Sequence, residues 1–315
     1  MQARSTQDVP HRDPSHRRAF GSALLAAGFA AFAALASWSA SAQSCEDPKA
    51  LRFSIIPTQD TVKELSLYKP VLDLLSKNTG KKIEFYMPTA YSSVIEALLG
   101  KWVDVGVLGP ESYVIAHKKD PNIEVFATYY KKKNGIQEAG PGYKSTLITK
   151  KGSKFTTIDS LKGSVLLLVD PASTSGALIP EALFAKQVIK TPLKDYFSRV
   201  AFSGGHDLST IAVLDGKADA AFVATHRFMN TVDQGKAKVS DFNYLWTSPL
   251  IPQDPFVYRG SLCAPLKEKI AQTFLTLDQT PEGKAYLDNV DAEKFVKMTD
   301  KDYDIIREAA GNTTQ

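Results

Sequence analysis

The strongest constraint on the fold is an alternation of short β-rich runs with amphipathic helical stretches, which extends from Leu51 to about Arg307. This alternation is typical of α/β proteins, in which helices connect the strands of largely parallel sheets. The clearest strand candidates are rich in aliphatic and aromatic residues: Arg52–Ile56, Ile83–Tyr86, Val103–Leu108, Leu147–Thr149, Val165–Val169 and Ala220–Val223. The length of 315 residues is enough for about two domains.

The charge balance argues against a nucleic-acid partner. The chain has 38 basic and 34 acidic residues, but residues 1–42 hold four of the arginines and two of the aspartates. The remainder therefore has 34 basic and 32 acidic residues, a net charge of +2. Nucleic-acid-binding proteins usually concentrate basic residues on one face to contact phosphates. The lysine-rich run Lys131–Gly135 is predicted to form a solvated turn.

The first 42 residues have the features of an export signal. Arg17 and Arg18 precede the alanine-rich apolar stretch Ala19–Trp38, and Ala40–Ala42 has the small-x-small pattern of a cleavage site. We predict that residues 1–42 are a signal peptide and that the mature protein is periplasmic. A permanent membrane anchor is the alternative, since about 20 apolar residues can span a bilayer. Arg17–Phe20 also resembles a twin-arginine signal, so the Sec and twin-arginine routes both stay open.

Cys45 and Cys263 are the only cysteines. Export to an oxidising compartment favours a disulfide between them. A bond that closes so long a loop contributes about 4 to 5 kcal/mol in the chain-entropy model. The alternative is that Cys45 is a lipid-modified first residue, but the preceding Ala42–Ser44 lacks the leucine expected there.

A short internal similarity indicates two related halves. Five residues recur 116 positions later in the same order: Ser93, Ile95, Leu98, Gly100 and Lys101 match Ser209, Ile211, Leu214, Gly216 and Lys217. Each set is followed by an aspartate, Asp104 or Asp219, and an apolar run. The pattern predicts a helix that a serine caps and a glycine closes, followed by a buried strand. Ser93 and Glu96 have the spacing of a capping box.

Polar residues stand at three predicted helix N-termini. Tyr91 precedes the first matched helix, and Gly204–Asp207 precedes the second. At the third, Asp170-Pro171 turns the chain after a strand, and Ser173–Gly176 leads into the helical segment Ala177–Lys186. Helix N-termini present free N–H groups and a partial positive charge, so these openings suit an anion.

The Ser173–Gly176 loop resembles a phosphate cradle without a lysine. Its three hydroxyls and its backbone N–H groups can surround a tetrahedral oxyanion. The Gly-Lys-Ser/Thr ending of a nucleotide P-loop is missing. A purely structural interpretation, in which Ser173 only caps the helix, remains open.

Several motifs together resemble the periplasmic phosphonate/phosphite-binding proteins of ABC importers, which are type II solute-binding proteins. The motifs are Asp170-Pro171, Ser173–Gly176, Gly205-His206 and Ser248–Pro255, with Tyr91–Ser93 and Gly109–Tyr113. The resemblance implies two α/β lobes that are joined by two crossing hinge strands, with the ligand in the cleft between them. It implies that lobe 1 comprises residues 43–148 and 250–315, and that lobe 2 comprises residues 149–249.

The resemblance also implies a set of ligand-binding residues. Ser173, Thr174 and Ser175 would bind oxyanion oxygens, and His206 would donate from the same lobe. Tyr91 would close from the first lobe, and Asp254 would lie near the hinge as an acceptor. An acceptor beside an anion makes sense only if the ligand keeps a proton or another donor stands between them. The alternative role of Asp254 is to hold a hinge turn before Pro255.

Two positions depart from the family pattern. Leu108 stands where phosphonate binders tend to have an aromatic hydroxyl, and His226 stands where they tend to have an acid that pairs with a ligand ammonium. A histidine cannot match the charge of that acid. We therefore expect phosphite, phosphate or methylphosphonate to be preferred over 2-aminoethylphosphonate. An exposed helix-start position beside Arg227 is the alternative for His226.

The predicted function is that of a monomeric solute-binding protein, which captures a small phosphorus oxyanion and delivers it to an inner-membrane ABC permease. The first alternative is an oxyanion sensor that reports to a membrane histidine kinase. The second is a hydrolase that uses Ser173, His206 and Asp254, but the sequence has no Gly-x-Ser-x-Gly elbow. We expect no enzyme activity and no cofactor. We also expect no metal, because the His-Glu-x-x-His and paired-cysteine spacings are missing.

Overall fold

The computed structural model describes residues 45–57 and 61–311, so the predicted signal peptide lies outside the described residues. The strands of the described part are β1 (Ala50–Ile55), β2 (Lys82–Tyr86), β3 (Val105–Val107), β4 (Ile123–Lys131), β5 (Gly142–Tyr143), β6 (Ser145–Lys150), β7 (Val165–Leu168), β8 (Arg199–Phe202), β9 (Ala220–Ala224), β10 (Phe242–Thr247), β11 (Ile251–Pro252), β12 (Phe256–Arg259) and β13 (Ala292–Lys297). The six predicted strands are confirmed, each within two residues of its predicted bounds.

Helices follow most of these strands. They are α1 (Thr61–Thr79), α2 (Tyr91–Leu99), α3 (Pro110–Lys119), α4 (Thr174–Leu178), α5 (Pro180–Ile189), α6 (Leu193–Tyr196), α7 (His206–Leu214), α8 (Thr225–Asp233), α9 (Ala264–Leu275), α10 (Pro281–Asn289) and α11 (Asp304–Gly311). Helices α4 and α5 have the wider hydrogen-bonding pattern of a π-helix. Short 3₁₀ turns occur at Asp159–Leu161, Val239–Asp241, Leu277–Gln279 and Asp300–Tyr303. Within residues 45–57 and 61–311, none of the helices has the length and apolar character needed to span a bilayer.

Two mixed sheets form the framework. The first has the strand order β13-β4-β12-β3-β1-β2, and the second has the order β10-β6-β9-β7-β8. In each sheet only one trio is parallel, β3-β1-β2 in the first and β9-β7-β8 in the second. The other pairs are antiparallel. The α/β class is therefore confirmed, but the expectation of largely parallel sheets is wrong, because β12 returns to the first sheet between β3 and β4 in the opposite direction.

The two similar sequence segments form the same pair of hydrogen bonds, each between an aspartate and the backbone of a neighbouring strand. In the first sheet, the Asp104 carboxylate accepts from the Arg52 N–H at 2.8 Å, and the Asp104 N–H donates to the Arg52 carbonyl at 2.8 Å. In the second sheet, Asp219 makes the same two bonds to Val165, at 2.8 and 3.1 Å. Each aspartate thus ties the start of one strand of the parallel trio to the start of its neighbour. The two parallel trios therefore share the same pair of aspartate–backbone hydrogen bonds.

The predicted serine caps are wrong. Helix α2 begins at Tyr91 after Ala90, and helix α7 begins at His206 after Gly205, both without a side-chain cap. Ala90 and Gly205 have extended backbones, so each helix starts two or three residues before the matched serine. Ser93 therefore lies inside α2, where it cannot form a capping box.

The prediction that Lys131 lies in a solvated turn is wrong. Lys131 is the last residue of β4 and only 4% exposed, and its ammonium donates to the Val290 carbonyl and lies 5.2 Å from the centre of the Tyr129 ring. Burial lowers the pKa of Lys131 to about 8. Lys133 and Gly135 are exposed as predicted. The error arises because the strand extends one residue into the lysine run.

A two-stranded ladder connects the sheets. The chain passes from β4 through β5 to β6, and it returns from β10 through β11 to β12. Strands β5 and β11 pair antiparallel, with Tyr143 opposite Ile251 and Gly142 opposite Pro252. Because both connections run side by side, they fix how the ends of one sheet face the ends of the other.

The predicted disulfide is present between Cys45 and Cys263, which are 218 residues apart in sequence. Two backbone hydrogen bonds support it: the Glu46 N–H donates to Ser261 at 2.7 Å, and the Cys263 N–H donates to Glu46 at 2.9 Å. The bond anchors the start of the described chain to the start of α9.

Replacing Cys45 and Cys263 together by serine is expected to lower the free energy of unfolding by up to about 5 kcal/mol, because the unfolded chain regains the freedom of a long loop. Urea denaturation without reductant measures the difference. Wild-type protein with reductant should unfold at the same midpoint as the double variant. A wild-type midpoint that reductant leaves unchanged would contradict the expectation.

Candidate ligand-binding site

A cavity of about 220 Å³ lies where residues that follow strands of both sheets meet the connecting ladder. Its lining is mostly polar or small and consists of Ile56, Tyr91, Gly109, Tyr143, Ser173, Thr174, Ser175, His206, Ala224, His226, Arg227 and Asp254. All seven residues that the sequence predicts to bind a ligand line this one cavity. A cavity this small suits only a ligand of a few heavy atoms.

Five helices begin at the cavity. Tyr91, Thr174 and His206 are the first residues of α2, α4 and α7. Gly109 and Ala224 directly precede α3 and α8. Helix N-termini carry backbone N–H groups and the positive ends of the helix dipoles. At α2 and α3 the N–H groups of Tyr91 and Glu111 already donate to Asp170 and Thr174. The arrangement of five N-termini around a small volume favours an anion.

The hydroxyl loop is held in place by its own cap. The Ser173 hydroxyl accepts from the Gly176 N–H at 3.1 Å, so Ser173 caps α4 in addition to lining the cavity. Gly176 must be glycine, because a methyl group there would overlap the Val169 side chain at the end of β7. The Thr174 hydroxyl accepts from the Glu111 N–H at 2.8 Å and can still donate.

Two tyrosines add hydroxyl donors. Burial raises the pKa values of Tyr91 and Tyr143 above the usual range, so both hydroxyls stay protonated. The Tyr91 hydroxyl lies near Ser173, and the Tyr143 hydroxyl lies near Thr174 and Ser175. Tyr143 thus places an aromatic hydroxyl at the cavity, at a position other than that of Leu108. Leu108 is fully buried and does not line the cavity.

His206 is fixed as a neutral donor. Its Nδ1 accepts from the Ala224 N–H at 3.0 Å, so the proton of the neutral ring must be on Nε2. Burial lowers the pKa of His206 to about 3, and His226 and Arg227 add to this effect. The ring therefore stays neutral at pH 7 and can donate through Nε2.

Asp254 is paired with a residue that the sequence analysis missed as a site residue. Its carboxylate accepts from the Arg227 guanidinium at 2.7 Å, and the two side chains are 5% and 14% exposed. Burial raises the pKa of Asp254, but the charge of Arg227 and the nearby His226 outweigh burial and lower the pKa to about 2. Asp254 is thus ionised, and Arg227 is the donor beside it.

His226 is buried, which contradicts the alternative of an exposed helix-start residue. It is 4% exposed, and its ring meets the Tyr143 ring edge-on at 4.6 Å. Its Nε2 is 3.6 Å from Asp254, just beyond hydrogen-bonding distance, and neither ring nitrogen has a hydrogen-bond partner. Burial lowers the pKa of His226 to about 4, against the influence of Asp254. Both histidines of the cavity are therefore neutral, and Arg227 and Asp254 cancel each other's charge.

Comparison with known proteins agrees with this architecture. Residues 53–303 match the family model described as ABC transporter, phosphonate, periplasmic substrate-binding protein. The chain belongs to this family. The phosphonates-binding periplasmic protein of Escherichia coli (strain K12) is 30% identical over 270 residues, which cover 84% of this chain and 77% of that protein. The family consists of transporter components that bind substrates, so this chain is not an enzyme.

Two further relatives support the assignment. The phosphate-import protein PhnD of Mycolicibacterium smegmatis is 29% identical over 277 residues, which cover 82% of this chain and 84% of that protein. A crystal structure of a binding protein component of an ABC phosphonate transporter from Pseudomonas aeruginosa superposes with a TM-score of 0.76 at 26% identity. That superposition covers 84% of this chain and 86% of the other, and it confirms the fold of the type II periplasmic binding proteins.

The described residues contain no group of three or more histidines, cysteines, aspartates or glutamates placed to hold a metal ion. Sequence reasoning missed Tyr143 and Arg227. Tyr143 lies on a two-residue strand, which shows no periodicity, and the partner of Arg227, Asp254, is 27 residues away in sequence.

Replacing Arg227 by methionine is expected to lower the free energy of unfolding by about 3–5 kcal/mol, because ionised Asp254 would stay buried without its partner. The double variant Arg227→Met/Asp254→Leu should regain part of the loss. Lys69→Met is the matched control, since it breaks an exposed pair with Asp73 and should cost less than about 1 kcal/mol. Equal losses in Arg227→Met and Lys69→Met, measured by chemical denaturation, would rule out a buried ion pair.

The buried histidines predict a stability that falls in acid. Unfolded histidine protonates near pH 6.5, whereas His206 and His226 resist protonation until about pH 3 and 4 in the folded protein. The unfolded state therefore binds more protons below about pH 7, and stability is lost as the pH falls. Between pH 7 and pH 5, the free energy of unfolding of His226→Gln should fall by less than that of the wild type, by on the order of 1–2 kcal/mol. Urea denaturation at pH 5, 6 and 7 measures this. If the free energy of unfolding falls equally steeply with pH in both proteins, the prediction is refuted.

Proposed function

We propose that this binding protein captures phosphite, phosphate or an alkylphosphonate in the cavity and delivers it to an inner-membrane ABC permease. The observation that carries the proposal is the convergence of five helix N-termini, three hydroxyl residues and the His206 donor on a cavity of about 220 Å³. The hydroxyls and Nε2 of His206 can donate hydrogen bonds, and helix N-termini favour negative charge. A compact tetrahedral oxyanion accepts hydrogen bonds from all sides.

We propose two lobes, each built on one sheet, with β5 and β11 as the crossing strands. The sequence-based limits place lobe 1 at residues 43–148 and 250–315 and lobe 2 at residues 149–249. The first crossing fits better before Ser145, because β6 (Ser145–Lys150) pairs with β9 and β10 of the second sheet.

Direct contacts between the proposed lobes support capture by closure. The Glu111 N–H donates to Thr174 at 2.8 Å, and the Ser112 hydroxyl donates to the Ala172 carbonyl at 2.7 Å. The Tyr91 N–H donates to Asp170 at 3.4 Å. These bonds join α2 and α3 to the loop that precedes α4, so they can exist only in a closed arrangement. A ligand that contacts both lobes would favour this arrangement over an open one.

The cavity also favours a ligand without an amino group. The carboxylate of Asp254 is already engaged by Arg227 at 2.7 Å, and His226 is neutral. A ligand ammonium would have to displace a buried guanidinium from its partner, which is costly. Phosphite, phosphate and methylphosphonate carry no such group, whereas 2-aminoethylphosphonate does.

The localisation and partner follow from the family. Its members are periplasmic components of ABC transporters, which supports an extracytoplasmic location after removal of residues 1–42 and a permease as the partner. This membership favours the permease over a sensor kinase.

Replacing Thr174 or His206 by alanine is expected to weaken binding of the preferred anion about 10- to 150-fold. Each variant loses a hydrogen bond to a charged ligand, worth about 1.5–3 kcal/mol. Calorimetric titration with phosphite, phosphate, methylphosphonate and 2-aminoethylphosphonate measures the change. Thr174→Ser keeps the hydroxyl and should keep most of the affinity, and Thr191→Ala, outside the cavity, should bind as the wild type does. Tighter binding of the aminated ligand, or unchanged affinity in both alanine variants, would contradict the proposal.

A further inference from the structure

One side chain of the cavity wall has fully buried polar atoms that lack hydrogen-bond partners. Among the cavity-lining residues, only His226 has buried side-chain polar atoms without a hydrogen-bond partner, and this holds for both of its ring nitrogens. The other polar residues with buried groups here are engaged: Asp254 with Arg227, His206 with Ala224 and Ser173 with Gly176. A buried polar atom without a partner is unfavourable unless a ligand satisfies it.

The neutral ring of His226 has one donor and one acceptor, and Asp254 decides which nitrogen is which. The Nε2 atom lies 3.6 Å from the ionised carboxylate of Asp254. A proton on Nε2 is attracted to this carboxylate, whereas a lone pair there would be repelled. The proton is therefore on Nε2, and Nδ1 is a buried acceptor that lacks a donor.

None of the charged or titratable groups around His226 donates a hydrogen bond to its Nδ1 atom. They come from several elements: Arg227 from α8, Asp254 from the segment before β12, Tyr143 from β5, His206 from α7 and Lys131 from β4. Arg227 donates to Asp254, Lys131 donates to Val290, and His206 is bonded to Ala224. Tyr143 presents its ring edge to His226 and its hydroxyl to Thr174 and Ser175.

A ligand in the cavity can supply the missing donor, and an oxyanion can do so only if it carries a proton. We propose that Nδ1 of His226 accepts a hydrogen bond from the P–OH group of the ligand, so that the site selects a singly protonated oxyanion. The inference rests on the proposed function and deepens it. It assigns to His226 the recognition of a ligand proton that the sequence analysis considered for Asp254, because Asp254 is committed to Arg227.

Methylphosphonate and methanesulfonate test the proposal directly. At mildly acidic pH both are tetrahedral monoanions with one methyl group, but only methylphosphonate carries an O–H group. Calorimetric titration of the wild type at pH 6 should show methylphosphonate binding at least 10-fold more tightly. Its affinity should fall between pH 6 and pH 8.5, because the ligand loses its proton in this range. The affinity for methanesulfonate should not follow this fall.

Two variants of His226 separate the acceptor from the ring. His226→Phe keeps a flat ring without an acceptor, and it should weaken methylphosphonate binding at least 10-fold while methanesulfonate binding stays nearly unchanged. His226→Gln restores an acceptor oxygen and should recover part of the discrimination. Lys131 has a pKa of about 8 and titrates within the pH range, so each variant is measured at the same pH values as the wild type. Thermal unfolding confirms that each variant is folded.

The outcomes distinguish a failure of the proposed function from a failure of the proposed role of His226. If the wild type binds no phosphite, phosphate or methylphosphonate at any pH, the proposed function itself fails. If it binds methylphosphonate and methanesulfonate equally, or if His226→Phe keeps the wild-type ratio, the proposed function stands and the role of His226 is overturned.

Discussion

The convergence of helix N-termini on one small cavity is the constraint on which the rest of the structure depends. Parallel strands end at the same edge of a sheet, so the helices that follow them begin at that edge. Each sheet contains one parallel trio, and the paired strands β5 and β11 set the edges of the two trios against each other. The cavity therefore lies at the N-termini of α2, α3, α4, α7 and α8. A fold with only one such trio could not surround an anion in this way.

The second property of the cavity is that its lining residues carry no net charge. The charges of Arg227 and Asp254 cancel, and burial keeps His206 and His226 uncharged at pH 7. Binding therefore depends on fixed donors and acceptors and not on a net positive charge. Hydrogen bonds of fixed direction can distinguish anions by their protons, whereas a cluster of lysines would attract any anion of similar size. The free Nδ1 of His226 fits this pattern of recognition.

Some residues of the cavity could be predicted from the sequence and others could not. Ser173, Thr174 and Ser175 were predicted because they stand at a helix opening directly after a predicted strand, and His206 because it stands at a helix opening within a motif that resembles the family. Tyr143 was missed because it lies on a two-residue ladder between the sheets. Lys131 was predicted to lie in a solvated turn and Arg227 was not considered as a site residue, although both are largely buried among groups from distant parts of the chain. Charge alone does not reveal burial, since the partners that permit it are remote in sequence.

The sequence by itself determined the alternation of strands and helices, the duplicated unit, the disulfide and the polar residues at the helix openings. These features depend on neighbouring residues, on periodicity or on the count of cysteines. Only the tertiary structure decided that Tyr143 joins the hydroxyl loop, that Arg227 neutralises Asp254 and that His226 lies buried without partners. Each of these facts depends on contacts between segments far apart in the chain. Folding brings such segments together through the packing of both sheets, which no local pattern encodes.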